Sequence, residues 1–401
     1  MRVALVTNLY PPIQTGTAHW TRELAHHLCR AGHSVIVIAC ATGATSLESV
    51  AHDGPVTVYR LPARRLRASQ LLLGFDEFYL ANTAANRRRM REIMEEQRIE
   101  LAHQCGHLLD LTYATPIVAK QLGIPCVCSI HTVIHSPTSR VVDLLMKAVD
   151  RTFVRHFGPA RYDTLVGLDA ELRSYIERTY RHRRVRTVLV SIDDDVLQRP
   201  AIQIGDESPF RILSVGHVTA MRPRVDLIEA VNRLREGGAV VELVIVGKLC
   251  DSQAHRLVRE RGLEGVVRLT GELPRAEVFE LARTCHMEAH WISVPGLGTA
   301  TLEAMALGLP VLAWAVPGLY EHVPLLDGVN MLFAEPGNIG QIASQIQRMI
   351  SEPALRRSIG TAARKLVQEH LSWNTAIERI QTIYREALAL HPASIPASAA
   401  R

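Results

Sequence analysis

The stretch "VPGLGTATLEAMALGLPVLAW", Val294–Trp314, combines a turn, a helix and a strand, the unit from which α/β domains are built. Gly296 and Gly298 mark a tight turn, and a short helical pattern begins near Thr299 before the final apolar run. The first N–H groups of a helix have no partner inside it and point beyond the turn. Because this is also the positive end of the helix dipole, the stretch predicts a site for an anion such as a diphosphate.

Strand-like and helix-like patterns alternate on both sides of this stretch. In the second half the apolar runs "FRILSVGHV", "VVELVIVGKL", "VVRLTGEL" and "HMEAHWISV" are separated by patterns such as "RVDLIEAVNRLREGG". In the first half "RVALVTNLY", "TAHWTRELAHHLCRAG" and "SVIVIAC" form one βαβ unit whose helix starts at the turn around Gly16. Such alternation predicts an α/β protein with two Rossmann-like, doubly wound parallel-sheet domains in series.

A change of composition sets the predicted domain limits within the 401 residues. Apolar periodicity stops in Asp193–Phe210, so we expect one domain over 1–195 and a second over 205–370. A helix at about 373–390 is expected to pack back on the first domain, and the proline-bearing tail 391–401 is expected to be disordered. The carboxyl ends of the strands in two such domains are expected to face a shared cleft that holds the ligands.

The sequence gives no indication of a secreted, membrane-spanning or disulfide-bonded protein. The first residues contain no apolar run long enough for a signal peptide, and no segment approaches the roughly 18 apolar residues of a membrane span. Seven cysteines without a C-x-x-C pair fit reduced thiols, and Cys126 and Cys128 alternate along an apolar strand as core residues do. We therefore expect a cytoplasmic protein.

Basic residues outnumber acidic ones modestly, giving a formal net charge of +5. Their clusters lack the interleaved aromatic residues of a single-strand nucleic-acid platform, so we expect no nucleic-acid partner. A solvated face is the simplest interpretation of each cluster. Arg64–Phe75 also contains the apolar run "LLLGF", which favours a peripheral contact with an anionic membrane surface as the alternative.

Four segments together resemble one enzyme family over nearly the whole chain. They are "YPPIQTGTAHWTRELAHHLCRAGHSVIVI", "IPCVCSIH", "VGHVTAMRPRVDLIEAV" and "GLGTATLEAMALGLPVLAW". The chain with these segments resembles the retaining glycosyltransferases of family 4, which have the GT-B fold. The resemblance implies transfer of a hexosyl group from a nucleotide-sugar donor, most often uridine-linked, to a hydroxyl acceptor with retention, without a metal or other cofactor.

The resemblance also implies roles for particular residues. His131 and Arg222 map to catalytic positions, with His131 at the end of a first-domain strand and Arg222 stabilising charge on the leaving diphosphate. Glu303 is expected to accept hydrogen bonds from the two ribose hydroxyls, although a carboxylate that only favours the helix dipole is the simpler alternative. The residues implied to bind the donor are Gly16, His217, Arg222, Lys248, Gly298, Thr299, Ala300, Thr301 and Glu303.

Several positions depart from the family pattern, and the departures leave alternatives open. Pro295 stands where the family has the first glutamate of its Glu-x7-Glu motif, His217 replaces an arginine, and Arg222-Pro223 replaces a lysine-glycine pair. A catalytically silent GT-B protein that binds or activates another transferase is therefore the second hypothesis, and a GT-B sugar-nucleotide epimerase the third. The acceptor stays open between a saccharide, a lipid-linked and a small-molecule compound.

Overall fold

The computed structural model describes residues 1–13, 15–42, 47–67, 77–134, 140–219, 223–290, 296–314, 318, 320 and 323–391. They form two compact units, one of Met1–Leu189 with Ala376–Arg401 and one of Val190–Thr375. The chain thus leaves the first unit a few residues before the limit expected from the sequence, and its last helix belongs mainly to that unit. Residues 392–401, expected to be disordered, lie outside the described part.

The first unit is built on an eight-stranded sheet with the strand order β10-β9-β8-β7-β1-β2-β4-β3. All neighbouring strands are parallel except β3 and β4. The strands are β1 Arg2–Thr7, β2 Ser34–Cys40, β3 Ser49–Asp53, β4 Val56–Leu61, β7 Leu101–Cys105, β8 Cys126–Ile130, β9 Thr164–Gly167 and β10 Val185–Thr187. The helices are α1 Gly16–Arg30, α2 Ala84–Glu96, α3 Leu111–Leu122, α4 Arg140–Val149, α5 Ala170–Thr179 and, at the end of the chain, α13 Trp373–Ala389.

Local signals in the sequence place the first βαβ unit. Five of the six residues of β1 are buried, as its apolar run predicts. Helix α1 begins at Gly16 because the Thr15 side chain accepts a hydrogen bond from the Ala18 N–H at 3.1 Å, which caps the helix. It ends just before Gly32, whose φ of +83° is a conformation that glycine adopts without strain.

The basic segment around Arg64 is a strand where the structure describes it. Strand β5, Arg64–Arg67, pairs antiparallel with β6, Glu77–Leu80, in a separate two-stranded sheet. The rest of the proposed membrane edge, including the "LLLGF" run and Phe75, lies outside the described residues.

The second unit has a six-stranded parallel sheet with the order β13-β12-β11-β14-β15-β16. The strands are β11 Phe210–Val215, β12 Val241–Val246, β13 Val267–Gly271, β14 Met287–Ala289, β15 Val311–Ala313 and β16 Leu332–Phe333. The helices are α6 Asp194–Gln198, α7 Val225–Glu236, α8 Gln253–Glu260, α9 Arg275–Ala282, α10 Thr299–Ala306, α11 Ile339–Ser351 and α12 Pro353–His370. The four apolar runs quoted for this half and the run that ends the Val294–Trp314 stretch contain β11 to β15 within their described residues.

Helix α10, which carries the quoted turn at its start, is fixed at its other end. A Cβ on Gly360 of α12 would overlap the carbonyl oxygen of Gly308, so only glycine allows the two segments to come this close. The Arg364 guanidinium donates to the carbonyl oxygens of Ala306 and, at 2.7 Å, Arg199. These bonds satisfy a carbonyl of the last helical turn and place a positive charge at the negative end of the dipole.

Other sequence expectations concern thiols and membrane spans. Cys126 and Cys128 are buried, and all seven cysteines are free. None of the helices in the described ranges combines the length and apolar character that crossing a membrane requires.

Candidate functional site

Two loops of the second unit run together beyond the carboxyl ends of β11 and β12. Gly247, which follows β12, has φ +143°, and a Cβ there would overlap the Gly216 carbonyl and lie 2.9 Å from the His217 nitrogen. The loops are joined by a hydrogen bond of 2.9 Å from the Val218 N–H to the Lys248 carbonyl. Glycine at position 247 therefore permits the contact that brings two predicted donor-binding residues side by side.

His217 and Lys248 are both exposed, and the two residues are in contact. The Lys248 N–H donates a hydrogen bond to His217 Nδ1 at 3.1 Å, and Glu272 Oε1 lies 4.0 Å from the same ring nitrogen. The Lys248 ammonium places a positive charge at these loops. Arg222, the other predicted cation, lies outside the described residues, as does Pro295.

Helix α10 begins at Thr299, where the sequence predicted it. Gly298 is its N-cap residue, in an extended conformation, and Gly296 has φ +143°, which favours glycine. The turn is held by a hydrogen bond of 3.0 Å from the Leu297 N–H to Tyr320 Oη. The N–H groups of Thr299, Ala300 and Thr301 are the first of the helix, and their geometry suits an anion.

Thr301, one of the residues implied to bind the donor, requires a correction, because its side chain is not available for this role. The residue is fully buried, and Oγ1 lies 2.7 Å from His290 Nδ1 and 3.4 Å from Glu288 Oε1. Only the backbone N–H of Thr301 can take part in the predicted anion site. Thr299, in contrast, is exposed, and its hydroxyl stays a candidate donor.

A buried carboxyl group, Glu288 on β14, supports this first helical turn. Burial raises its pKa to about 8, although the nearby Arg224 guanidinium lowers it. Among the described residues, no group hydrogen-bonds its second oxygen, Oε2. Arg224, also buried, donates to Ser214 Oγ at 2.9 Å and to the Gly216 carbonyl at 3.2 Å. The electrostatic interaction between Glu288 and Arg224 thus connects Thr301 of the α10 turn with the Gly216 loop.

Glu303 is engaged in an ion pair. Arg275 of α9 donates from Nε at 2.9 Å and from Nη2 at 2.6 Å to Glu303 Oε1. The same Nη2 lies 2.8 Å from Asp193 Oδ2. The Glu303 side chain is 13% exposed, so the pair with Arg275 orients the carboxylate close to the surface. A ribose would share this carboxylate with Arg275.

His131 of the first unit follows β8, as predicted, and is not a cation. Its ring packs edge-on against Trp20 at 4.7 Å between centroids, and Nε2 lies 3.1 Å from Ser129 Oγ. Burial, reinforced by His103 and His107, lowers the pKa of His131 to about 3. The imidazole can therefore accept or donate a hydrogen bond at neutral pH, but it carries no charge.

Behind His131 a chain of hydrogen bonds leads to the last helix of the protein. Ser129 Oγ lies 3.0 Å from His103 Nε2, and His103 Nδ1 lies 2.6 Å from Tyr384 Oη on α13. His103 is buried, and burial lowers its pKa to about 3. Neutral groups alone form this chain, and it fixes His131 relative to α13.

Gly16 lies in the same part of the first unit as His131. It opens α1, and a Cβ on it would meet no atom within 4 Å. Trp20, about one turn further along α1, contacts the His131 ring. The structure therefore brings these two predicted residues onto neighbouring elements.

Three residues of the sites were missed by the sequence argument. Glu288 interrupts an apolar strand pattern, which was the only signal of a buried acid. Arg275 has no local signal, because its partners Asp193 and Glu303 are distant in the chain. His107 is buried, and neither of its ring nitrogens has a hydrogen-bond partner in the described part of the chain. With eighteen histidines in the sequence, type alone could not single it out.

Comparison with known proteins covers both units. Residues 15–196 match the family model Glycosyltransferase Family 4, and residues 198–366 match the model Glycosyl transferases group 1. A D-inositol 3-phosphate glycosyltransferase from Nocardiopsis dassonvillei is 26% identical over 100% of this chain and 97% of its own. A 2-deoxystreptamine glucosyltransferase from Streptomyces kanamyceticus is 26% identical over 75% of this chain and 80% of its own.

Solved structures agree on the fold. The Anabaena protein HepE in complex with UDP has a TM-score of 0.71 at 18% identity, covering 96% of this chain and 100% of its own. Sucrose-phosphate synthase from Thermosynechococcus elongatus has a TM-score of 0.70 at 18% identity, covering 97% and 100%. With two parallel-sheet units of the GT-B fold and both family models matched in order, the chain belongs to the glycosyltransferases that join a family 4 domain to a group 1 domain.

Proposed function

We propose that this chain transfers a hexosyl group from a UDP-linked donor to a hydroxyl acceptor, with retention at the anomeric carbon. The observation that carries the proposal is the start of α10, where the first N–H groups and the oriented Glu303 carboxylate lie on one short helix. N–H groups suit a diphosphate, and a carboxylate suits two adjacent ribose hydroxyls. UDP is the ligand of the Anabaena neighbour.

The chemistry required of the protein is electrostatic. As the sugar leaves, negative charge grows on the diphosphate, and preorganised donors at α10, the Lys248 ammonium and Arg222 would stabilise it. Each such donor can contribute roughly 3 to 4 kcal/mol to the transition state. In this scheme the leaving diphosphate takes the proton of the acceptor hydroxyl, so no protein nucleophile and no metal is needed. Neutral His131 would hydrogen-bond the sugar or the acceptor.

The acceptor is proposed to be a small polyhydroxylated compound. Two relatives have names that specify inositol phosphate and 2-deoxystreptamine, both rings that carry several hydroxyls. A saccharide or a lipid-linked acceptor remains compatible with the same chemistry. We place the reaction in the cytoplasm, with peripheral membrane association if the acceptor is lipid-linked.

The test compares thermal unfolding of the wild type and of Glu303→Ala with UDP, 2′-deoxy-UDP, GDP and ADP. A ligand at 100 times its Kd adds about 2.7 kcal/mol of stability, which raises the Tm by several degrees. We expect UDP to stabilise the wild type more than 2′-deoxy-UDP, and Glu303→Ala to respond equally to both. A hydrogen bond to a charged group is worth about 1.5 to 3 kcal/mol, so the difference is measurable. Equal responses in the wild type would refute ribose recognition by Glu303.

A second candidate is a catalytically silent GT-B protein that binds or activates another transferase. The ion pair between Arg275 and Glu303 favours it, because the Glu303 carboxylate already has a partner. Pro295 favours it too, because it stands where the family motif has its first glutamate. Incubation with UDP-glucose and myo-inositol or 2-deoxystreptamine, followed by mass spectrometry and NMR of the product, separates the two. An α-linked glycoside supports the transferase, whereas UDP binding without any sugar transfer or donor hydrolysis supports the silent protein.

A further inference from the structure

An exposed apolar row runs along the helix that follows the His131 loop in the first unit. Helix α4 contains no buried residue, although it holds several large apolar side chains. It continues through a π-helical turn, Asp150–Val154, and a last α-helical turn, Arg155–Phe157. The exposed fractions are 78% for Val141, 71% for Leu144, 64% for Leu145, 44% for Val149, 53% for Phe153 and 46% for Phe157.

Four of these side chains are aligned along the segment. Leu145, Val149, Phe153 and Phe157 are spaced four residues apart, and such residues lie above one another on a helix. The rings of Phe153 and Phe157 lie 4.8 Å apart, which keeps the aromatic end of the row together. Isolated apolar residues are common on protein surfaces, whereas a contiguous apolar row marks a surface that binds something.

Basic residues line the same segment and specify what it binds. Lys147, Arg151 and Arg155 are also four residues apart, so they form a second row beside the apolar one. The segment has two acids: Asp143 pairs with Lys147, the first cation of the row, at 2.7 Å, and Asp150 is buried.

The buried acid is held away from the surface. Tyr175 and Tyr180 donate hydrogen bonds to the Asp150 carboxyl group, and burial raises its pKa. Arg151 and Arg155 form no salt bridge among the described residues, although the nearby Arg151 charge lowers the pKa of Asp150. An apolar row flanked by two arginines without a salt-bridge partner is complementary to a bilayer whose headgroups are anionic.

We propose that residues 140–157 dock the first unit on the surface of an anionic lipid bilayer. The apolar row enters the boundary between headgroups and acyl chains, and the basic row contacts lipid phosphates. This surface differs from the Arg64–Phe75 edge suggested by the sequence, and it requires no particular acceptor or donor. Protein docked in this way works at an interface where a lipid-linked acceptor would be concentrated.

The experiment is flotation of the full chain with vesicles of phosphatidylcholine alone or with 30 mol % phosphatidylglycerol, a composition chosen at about the charge density that polybasic segments sense. We expect the wild type to float with the anionic vesicles only, and less in high salt because surface charges are screened. The double variant Leu144→Ser/Leu145→Ser and, separately, Lys147→Gln/Arg151→Gln should each reduce the bound fraction at least fivefold. Both pairs are exposed, so circular dichroism melts should match the wild type.

Matched controls lie elsewhere on the surface. Val240→Ser removes an apolar side chain that is 65% exposed in the second unit, and Arg88→Gln removes an exposed cation of α2. Both should float like the wild type. The proposal is overturned if the wild type does not float, if the α4 variants float normally, or if only Arg64→Gln/Arg65→Gln abolishes flotation. It is also overturned if sedimentation velocity shows a wild-type dimer that the Leu144→Ser/Leu145→Ser variant converts to monomer, since a second copy would then cover the row.

Discussion

His131 in the first unit and Glu303 in the second are both held in place by hydrogen bonds, but the groups that hold His131 are neutral and the group that holds Glu303 is charged. His131 is held by a chain of neutral hydrogen-bonding groups, and burial keeps its pKa at about 3. Glu303 is held by the Arg275 guanidinium, which is 44% exposed. A buried position tolerates polar groups only if they are neutral and bonded, whereas a position near solvent can keep a charge. The first arrangement can orient a substrate, and the second can also bind charge or hydroxyls.

The largest effect is expected from Gly247→Ala, which separates the two loops that bring His217 and Lys248 together. The new Cβ overlaps the Gly216 carbonyl, and φ is +143°, so we expect a loss of about 3 kcal/mol or more of unfolding free energy. Calorimetry should show the loss together with loss of UDP stabilisation. Gly262→Ala is the control, because Gly262 also has a positive φ but no neighbour within 4 Å. Equal destabilisation by both variants would mean that the loop contact contributes nothing.

A smaller effect is expected from a change in the neutral hydrogen-bonded chain that holds His131. Ser129→Ala removes the hydroxyl that lies between His103 and His131 and leaves buried nitrogens without a partner. We expect a loss of about 2 kcal/mol in denaturant unfolding, with UDP stabilisation unchanged. Ser34→Ala, at an exposed serine, should lose little. A large fall in UDP stabilisation for Ser129→Ala would show that the two sites are not energetically separate.

Glu288 sharpens the contrast because it is an acid buried in the second unit. Its pKa is raised from 4.5 to about 8, so between these values the folded protein holds a proton that the unfolded chain has released. The unfolding free energy should therefore fall as pH rises towards 8, by at most about 1.4 kcal/mol per pH unit, and level off above it. Glu288→Gln cannot lose this proton, so its stability relative to wild type should increase between pH 6 and 8. A constant difference between the two proteins would show that Glu288 is ionised throughout.

The smallest stability effect is expected from Arg275→Ala. The pair with Glu303 is partly exposed, so its loss should cost less than about 1 kcal/mol. Arg261→Ala, which breaks an exposed pair with Glu229, is the matched control. Isothermal titration should show UDP binding weakened several-fold by Arg275→Ala alone, because Glu303 loses the group that orients it. Tighter binding would mean that Arg275 competes with the nucleotide for the Glu303 carboxylate.

Predictions made from the sequence succeeded where local patterns determine the structure. Apolar period and turn residues located β1 and β2 of the first sheet, β11 to β15 of the second and the start of α10 at Thr299, because these depend on neighbouring residues. The side-chain environments depended on partners far along the chain. No residue near Thr301 in the sequence indicates that its hydroxyl contacts His290, and no residue near Glu303 indicates that Arg275 pairs with it. The roles of His131, Lys248 and Glu303 in binding or catalysis stay predictions.

The close approach of Gly308 and Gly360 has a consequence for how affinity can change. The end of α10 opposite to Thr299 is held by these contacts, so a nucleotide bound at Thr299, as proposed, would have little backbone to immobilise, and the conformational entropy lost on binding should be small. Any side chain larger than hydrogen at position 360 of α12 would displace Gly308 and with it α10. The strength of nucleotide binding can therefore drift through substitutions at residues that never touch the nucleotide.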